Sequence, residues 1–314
     1  MTDKAGLLAI LVALGAGWGL TTPLIKIAVS TGYGHFGLVF WQLALGAALL
    51  GGILVARGRL PRLTPGTMTF CTMIAVLGTI VPNSASYRSA VELPGGIMAI
   101  VISTVPMFAF PIALSLGMDR FSALRFAGLA LGLAGVALIA LPEASLPDPA
   151  MAPWLLVALV APFCYAVEGN VVARWGTWGM GPVQVLFGAS LIGAFLALPL
   201  ALATGQAFVP AFPPGPADAA LLAIGVIHAT VYATYVWLVG RAGSVFAAQV
   251  SYLVTGFGVV WSMVLLGERY AFWIWLALAL MLAGIALVQP RRSVPLAPPA
   301  PAVQGALRAD DGTT

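Results

Sequence analysis

Apolar residues run through this chain in long uninterrupted stretches separated by short breaks of glycine, proline or charge, and the two-residue alternation of a half-buried strand is missing. Ten stretches can be delimited, at residues 5–27, 36–56, 67–86, 96–116, 122–141, 152–173, 182–202, 217–239, 244–266 and 270–288. Each is 19 to 23 residues long. That is what an α-helix needs to cross ~30 Å of hydrocarbon, where every backbone polar group must be satisfied within its own segment. The breaks match helix ends: Pro94, Pro153, Pro182 and Pro216 stand near starts, and Gly58, Gly117, Gly205 and Gly267 near stops. The pattern predicts an all-α integral membrane protein with ten transmembrane helices. The first stretch follows Lys4 but continues through Trp18 to Ile27 with no small-residue cleavage site, so it reads as an uncleaved helix rather than a signal peptide.

Composition agrees. Of 314 residues 61% are apolar and 8% charged, against about 25% charged in a soluble domain, which excludes a water-clothed enzyme. The net charge of +4 comes from 14 Lys and Arg scattered singly or in small loop clusters, so no basic face exists for nucleic acid. Cys71 and Cys164 both lie in apolar runs and are too few for a zinc site or a disulfide framework. Alternate loops on opposite sides put 11 of the 14 cations on the side of the N-terminus and leave only Lys26, Arg88 and Arg269 on the other. The positive-inside rule then predicts ten crossings with both termini cytoplasmic. The tail 290–314, with Pro295, Pro298, Pro299 and Pro301, reads as a disordered cytoplasmic extension.

The chain also repeats itself. An offset of 149 residues lays Asp119-Arg120-Phe121 on Glu268-Arg269-Tyr270, with nine identities in 21 aligned positions, and an offset of 145 lays residues 11–14 on 156–159. This predicts two five-helix units, 1–141 and 152–289, joined by an outer linker at 142–151. Because five is odd, the second unit is inverted, an architecture of secondary transporters with a site near the midplane between the copies.

Trp18-Gly19 with Pro23 and Lys26, Tyr87 with Ser89-Ala90 and Pro106, and Leu266-Gly267-Glu268 followed by Gly284 resemble the paired domains of the EamA family of the drug/metabolite transporter superfamily. The resemblance runs from about Leu7 to Gln289 and implies ten helices in a basket around a central cavity, in a family that includes exporters of amino acids and other small metabolites. One departure stands out. Many such proteins carry Arg early in the second helix, whereas Gln42 occupies that region here.

Polar residues inside apolar helices are functional hypotheses, because lipid exposure is expensive for them. Lys26, Arg125 and Asp218 lie within a turn of a helix end and read as interface anchors. Glu168 lies deeper, and has two readings: coupling of transport to protons, or a wetted, hydrogen-bonded structural group. His228, Tyr232 and Tyr235 share one face of the eighth helix, which suits cavity lining or helix packing. Trp18 with Thr22, Asn83 with Tyr87, Ser103 beside Pro106, Tyr165 with Glu168, and Tyr252 between Gln249 and Thr255 add a stripe each. Together they outline a solute pathway with apolar walls and a few hydrogen-bonding groups. Trp41, Trp154, Trp175, Trp178, Trp237, Trp273 and Trp275 read as an aromatic belt. Gly15 to Gly19 and Gly128 to Gly132 read as close-packing sites within a monomer.

Lys4 and Lys26 are the only lysines and no P-loop occurs, so ATP is not the energy source. His35 and His228 are far apart with no H-E-x-x-H, which argues against a metal or other cofactor. The reading is a secondary transporter exporting small amphipathic metabolites, amino acids first, by alternating access. Nucleosides, sugar nucleotides or drugs are the alternative cargoes; a membrane enzyme, then a channel or receptor, are the alternative classes.

Overall fold

Proline and glycine decide where the apolar stretches begin, bend and stop. The computed structural model describes residues 4–62, 64–140, 146–242 and 249–288. In order they form α1 (Lys4–Val29), α2 (His35–Ala56), α3 (Pro65–Ala75), a π-helical turn (Val76–Ile80), α4 (Val81–Glu92), α5 (Gly95–Ile102), α6 (Val105–Ser115), α7 (Ala123–Ala140), a 3-10 turn (Pro149–Met151), α8 (Ala152–Trp175), α9 (Pro182–Ala203), α10 (Pro216–Ala242), α11 (Val250–Leu266) and α12 (Phe272–Val288). No strand occurs among the described residues. Among the described residues seven helical stretches are long and apolar enough to cross a membrane, and the shorter apolar helices Ala123–Ile139, Val250–Leu266 and Phe272–Val288 accompany them. Residues 142–145 of the linker, 244–248 of the ninth stretch and the tail 290–314 lie outside the described residues.

Two of the expected helices differ from the pattern. The stretch at 96–116 is divided into α5 and α6. Pro106 has no N–H to donate to the carbonyl of Ile102 and its ring clashes there. Ser103 Oγ donates to Ile100 O at 2.6 Å and Thr104 Oγ1 to Val101 O at 2.7 Å, so carbonyls near the break find partners. The stretch at 67–86 runs on to Glu92 through the π turn, where Val81 N–H reaches back to Val76 O. Pro82 cannot bond to Gly78 O, and a widened turn accommodates the missing donor.

The helices of one half pack on those of the other. α2 lies against α9, α7 against α12, α4 and α6 against α8, and α1 against α10 and α11. Glycine permits the closest approaches. A Cβ at Gly128 would stand 2.7 Å from Gly284 O, and one at Gly284 the same distance from Gly128 O. Gly19 meets Phe257 and Gly258 of α11 in the same way.

Connections gather at two ends. At one, Gln206 Oε1 accepts from Phe36 N at 3.0 Å, Trp41 Nε1 donates to Phe208 O at 2.9 Å and Tyr33 stacks on Phe208. At the other, Gln184 Nε2 donates to Arg59 O at 2.7 Å and Gly66 abuts Trp178. Arg125 and Asp218, expected as interface anchors, are instead buried and bonded within the protein. Arg125 pairs with Asp119 and lies over the Phe110 ring, and Asp218 accepts from Tyr33 OH at 3.0 Å and from Gly215 N at 3.1 Å. A charge one turn from a helix end is as close to a neighbouring loop as to the interface, and the loop wins when it supplies a partner.

Candidate functional site

Apart from His35, Gln42 is the one strongly polar side chain in α2, and it is buried. Its Oε1 accepts from Asn83 Nδ2 and from Tyr87 OH, both at 3.0 Å. Asn83 and Tyr87 are four residues apart on α4, hence on one face, and their register follows from the π turn that precedes them. From α8, Tyr165 OH donates to Asn83 Oδ1 at 2.9 Å. Three helices are thus stitched by a chain of amides and phenols, and Tyr87 at one end of it is 1% exposed. Next to Asn83 in sequence, Ser84 Oγ is buried without a hydrogen-bond partner among the described residues.

Glu168 continues this chain one turn beyond Tyr165. Its carboxylate lies against the π turn, where a Cβ on Gly78 would stand 2.7 Å from Oε1, and it is within electrostatic reach of Tyr165, Cys164 and Tyr232. Among the described residues Glu168 makes no hydrogen bond or ion pair. A carboxylate held in an apolar bundle with no fixed partner is free to take a proton or a ligand's donor.

The remaining expected residues fall into two groups. Tyr232 on α10 is within electrostatic reach of Glu168, and His228 lies one turn earlier on the same helix. That helix contacts both α1 and α2, with Val231 at Gly17 and Gly225 at Leu45. Trp18 packs on Tyr235 with ring centroids 5.3 Å apart. The structure therefore brings Asn83, Tyr87, Tyr165 and Glu168 together, with Tyr232 within electrostatic reach of Glu168 and the Trp18–Tyr235 pair on the α1 side of α10. Thr22 instead lies buried at the contact of α1 with Gly258, Tyr252 packs against the main apolar core, and Ser103 uses its hydroxyl on the α5–α6 break.

A second constellation escapes the sequence pattern. α4 ends at Glu92 and α5 starts at Gly95, leaving helix-terminal groups to be satisfied between them. Lys26 Nζ donates to Leu93 O at 3.0 Å and Val91 O at 3.2 Å, and Glu268 accepts from Gly95 N at 2.8 Å and Gly96 N at 3.1 Å. A cation thus closes a helix C-terminus and an anion a helix N-terminus, each matching the local dipole. Tyr270 OH donates to Glu268 and Gly96 N donates to Tyr270 OH at 3.0 Å. A cavity of about 450 Å³ opens here, lined in part by Lys26, Glu92, Pro94, Glu268 and Arg269. The sequence signals were Lys26 and the Gly267-Glu268 pair, but nothing local says what they bond.

Of the tryptophans expected as a belt, Trp175, Trp178, Trp237, Trp273 and Trp275 are exposed. Trp41 is bonded to Phe208 O and Trp154 lies under Arg88, 5.5 Å from the guanidinium. Among the described residues no group of three His, Cys, Asp or Glu side chains converges to hold a metal.

Comparison with known proteins places these features in context. The EamA-like transporter family matches residues 4–141 and again 152–289. The Escherichia coli (strain K12) protein described as uncharacterized inner membrane transporter YedA is 26% identical over 284 residues, covering 88% of this chain and 89% of its own, and its counterpart in strain O157:H7 matches equally. A protein of known crystal structure superposes with a TM-score of 0.58 at 20% identity, over 91% of this chain and 98% of that one, a likeness of fold.

Proposed function

Because the chain belongs to the EamA-like transporter family of the drug/metabolite transporter superfamily, it is a membrane transporter, and we propose that it is a secondary carrier exporting small amphipathic metabolites, neutral amino acids above all. The observation that carries this reading is the buried chain Gln42–Asn83–Tyr87–Tyr165 with Glu168 beside it: three helices of an apolar bundle present hydrogen-bonding groups and aromatic faces with no cation among them. Such a lining suits a neutral or zwitterionic solute. A phosphorylated solute calls for Arg or Lys, and Gln42 stands where many relatives carry Arg.

Ten crossings in two inverted five-helix repeats, 1–141 and 152–289, are the architecture in this proposal. Its support is the exchange of packing partners. If α1 corresponds to α8 and α4 to α10, the contact of α1 with α10 becomes the contact of α8 with α4, and both are present. Rocking one repeat on the other would expose the chain of polar groups to each side in turn. Glu168 is the group proposed to couple this motion to protons, since its carboxylate is unpaired among the described residues. The protein works as a monomer in a bacterial inner membrane with both termini cytoplasmic, a placement supported by the cation count and by the inner-membrane relative.

Uptake and counterflow in proteoliposomes with amino acids, nucleosides and sugar nucleotides test the cargo. Saturable exchange of leucine or phenylalanine is expected. Exchange confined to sugar nucleotides would overturn the cargo, and unsaturable conductance would overturn the carrier.

A further inference from the structure

The cavity at the α4–α5 junction carries opposite charges in equal number, Lys26 and Arg269 against Glu92 and Glu268. Two of the four are already engaged. Lys26 donates to the carbonyls of Val91 and Leu93, and both oxygens of Glu268 accept from the amides of Gly95 and Gly96. Among the described residues Glu92 and Arg269 make neither a hydrogen bond nor an ion pair, with each other or with anything else. Apolar groups complete the wall: Ile97, Leu146 and Met151. A volume of about 450 Å³ lies within the roughly 300–1,000 Å³ typical of small-ligand sites.

We infer that this vestibule is a second binding site, apart from the Gln42–Tyr165 chain, for zwitterions with an apolar side chain: Arg269 takes the carboxylate, Glu92 the ammonium, and Ile97, Leu146 and Met151 the side chain. An anion would meet Glu92 and Glu268, and a cation would meet Lys26 and Arg269. Only a ligand carrying both charges gains at both ends. The assignment of amino acids as its ligands rests on the cargo proposed above. The site adds a station at the mouth of the pathway, where solute leaving or returning is held before it meets water or the central chain. Glu92 is half-buried and Arg269 exposed, so the ammonium end contributes more than the carboxylate end, a surface charge being screened by water.

Binding to the full-length protein in lipid nanodiscs separates the possibilities, with L-leucine, its methyl ester, which lacks the negative charge, and N-acetyl-L-leucine, which lacks the positive one. Glu92→Gln is expected to weaken leucine and the ester by about tenfold and to leave N-acetyl-leucine unchanged. Arg269→Gln is expected to weaken leucine and N-acetyl-leucine by about threefold and to leave the ester unchanged. Neither side chain makes a bond to the fold, so thermal unfolding of both variants should match wild type. Leucine affinity unchanged in both but reduced in Tyr87→Phe would overturn the vestibule and leave the proposed transport intact. A uniform loss for all three ligands would also overturn it, because a structural defect does not read charge. Absence of leucine binding to the wild-type protein would overturn both the vestibule and the amino-acid cargo.

Discussion

Gln42 Oε1 serves two donors, so replacing Gln42 by leucine strands the Asn83 amide and the Tyr87 hydroxyl together. Gln42→Leu should cost about 1–3 kcal/mol, the penalty for leaving buried donors unmet, seen as a lower thermal unfolding temperature in detergent. Tyr87→Phe removes one donor from an oxygen that Asn83 still serves and should cost within about 1 kcal/mol. Both should weaken substrate binding if the polar chain lines the pathway as proposed. The α10 stripe can be separated from simple packing in the same way. His228→Ala and Tyr232→Phe should lower affinity at near-wild-type stability, with Leu222→Ala on the exposed face as control. Variants that lose stability while keeping affinity would assign the stripe to packing.

At the scale of elements, the two interrupted helices matter more than the straight ones. The α4–α5 gap is bridged by groups from α1 and from the α11–α12 connection, so its opening is tied to movement of both. Glu268→Gln replaces one accepting oxygen by a donor facing an amide, and should destabilise the junction by about 1–3 kcal/mol. Faster hydrogen exchange at Gly95 and Gly96, with other core amides unchanged, is the expected readout. At the π turn, Gly78→Ala would press a methyl group on Glu168. It should shift the pH dependence of transport; an unchanged profile would separate Glu168 from proton movement.

The whole molecule brings loops from distant parts of the chain to two ends. Residues 30–36 meet 206–218 at one, and Arg59 meets Gln184 at the other. If the Arg59 end is cytoplasmic, a membrane-impermeant maleimide added to intact cells should label Pro147→Cys and spare Arg59→Cys. Both variants would be made with Cys71 and Cys164, which are buried, replaced by Ala. Labelling of Arg59→Cys alone would reverse the orientation.

Membrane residence, helical class and most helix ends are legible along the chain, because hydrocarbon makes each segment satisfy its own backbone, and length, apolarity, proline and glycine report that locally. Asn83, Tyr87, Tyr165 and Glu168 are legible for a related reason: a polar group in an apolar helix is costly unless something compensates it. The compensation itself lies elsewhere. Gln42 is joined to Tyr87 across 45 positions, and Glu268 to Gly95 across 173. Periodicity tells which face of a helix a residue occupies, but not which helix lies opposite. The π turn and the α5–α6 break are hidden from an apolarity count, since a missing N–H at Pro82 or Pro106 leaves hydropathy unchanged. Only packing settled that Lys26 and Glu268 close a gap between helices and that Arg125 and Asp218 bond inward. The bonds from Lys26 to Leu93, from Gly95 to Glu268 and from Tyr33 to Asp218 join groups that only the fold of the bundle brings close, and no short window of sequence contains both.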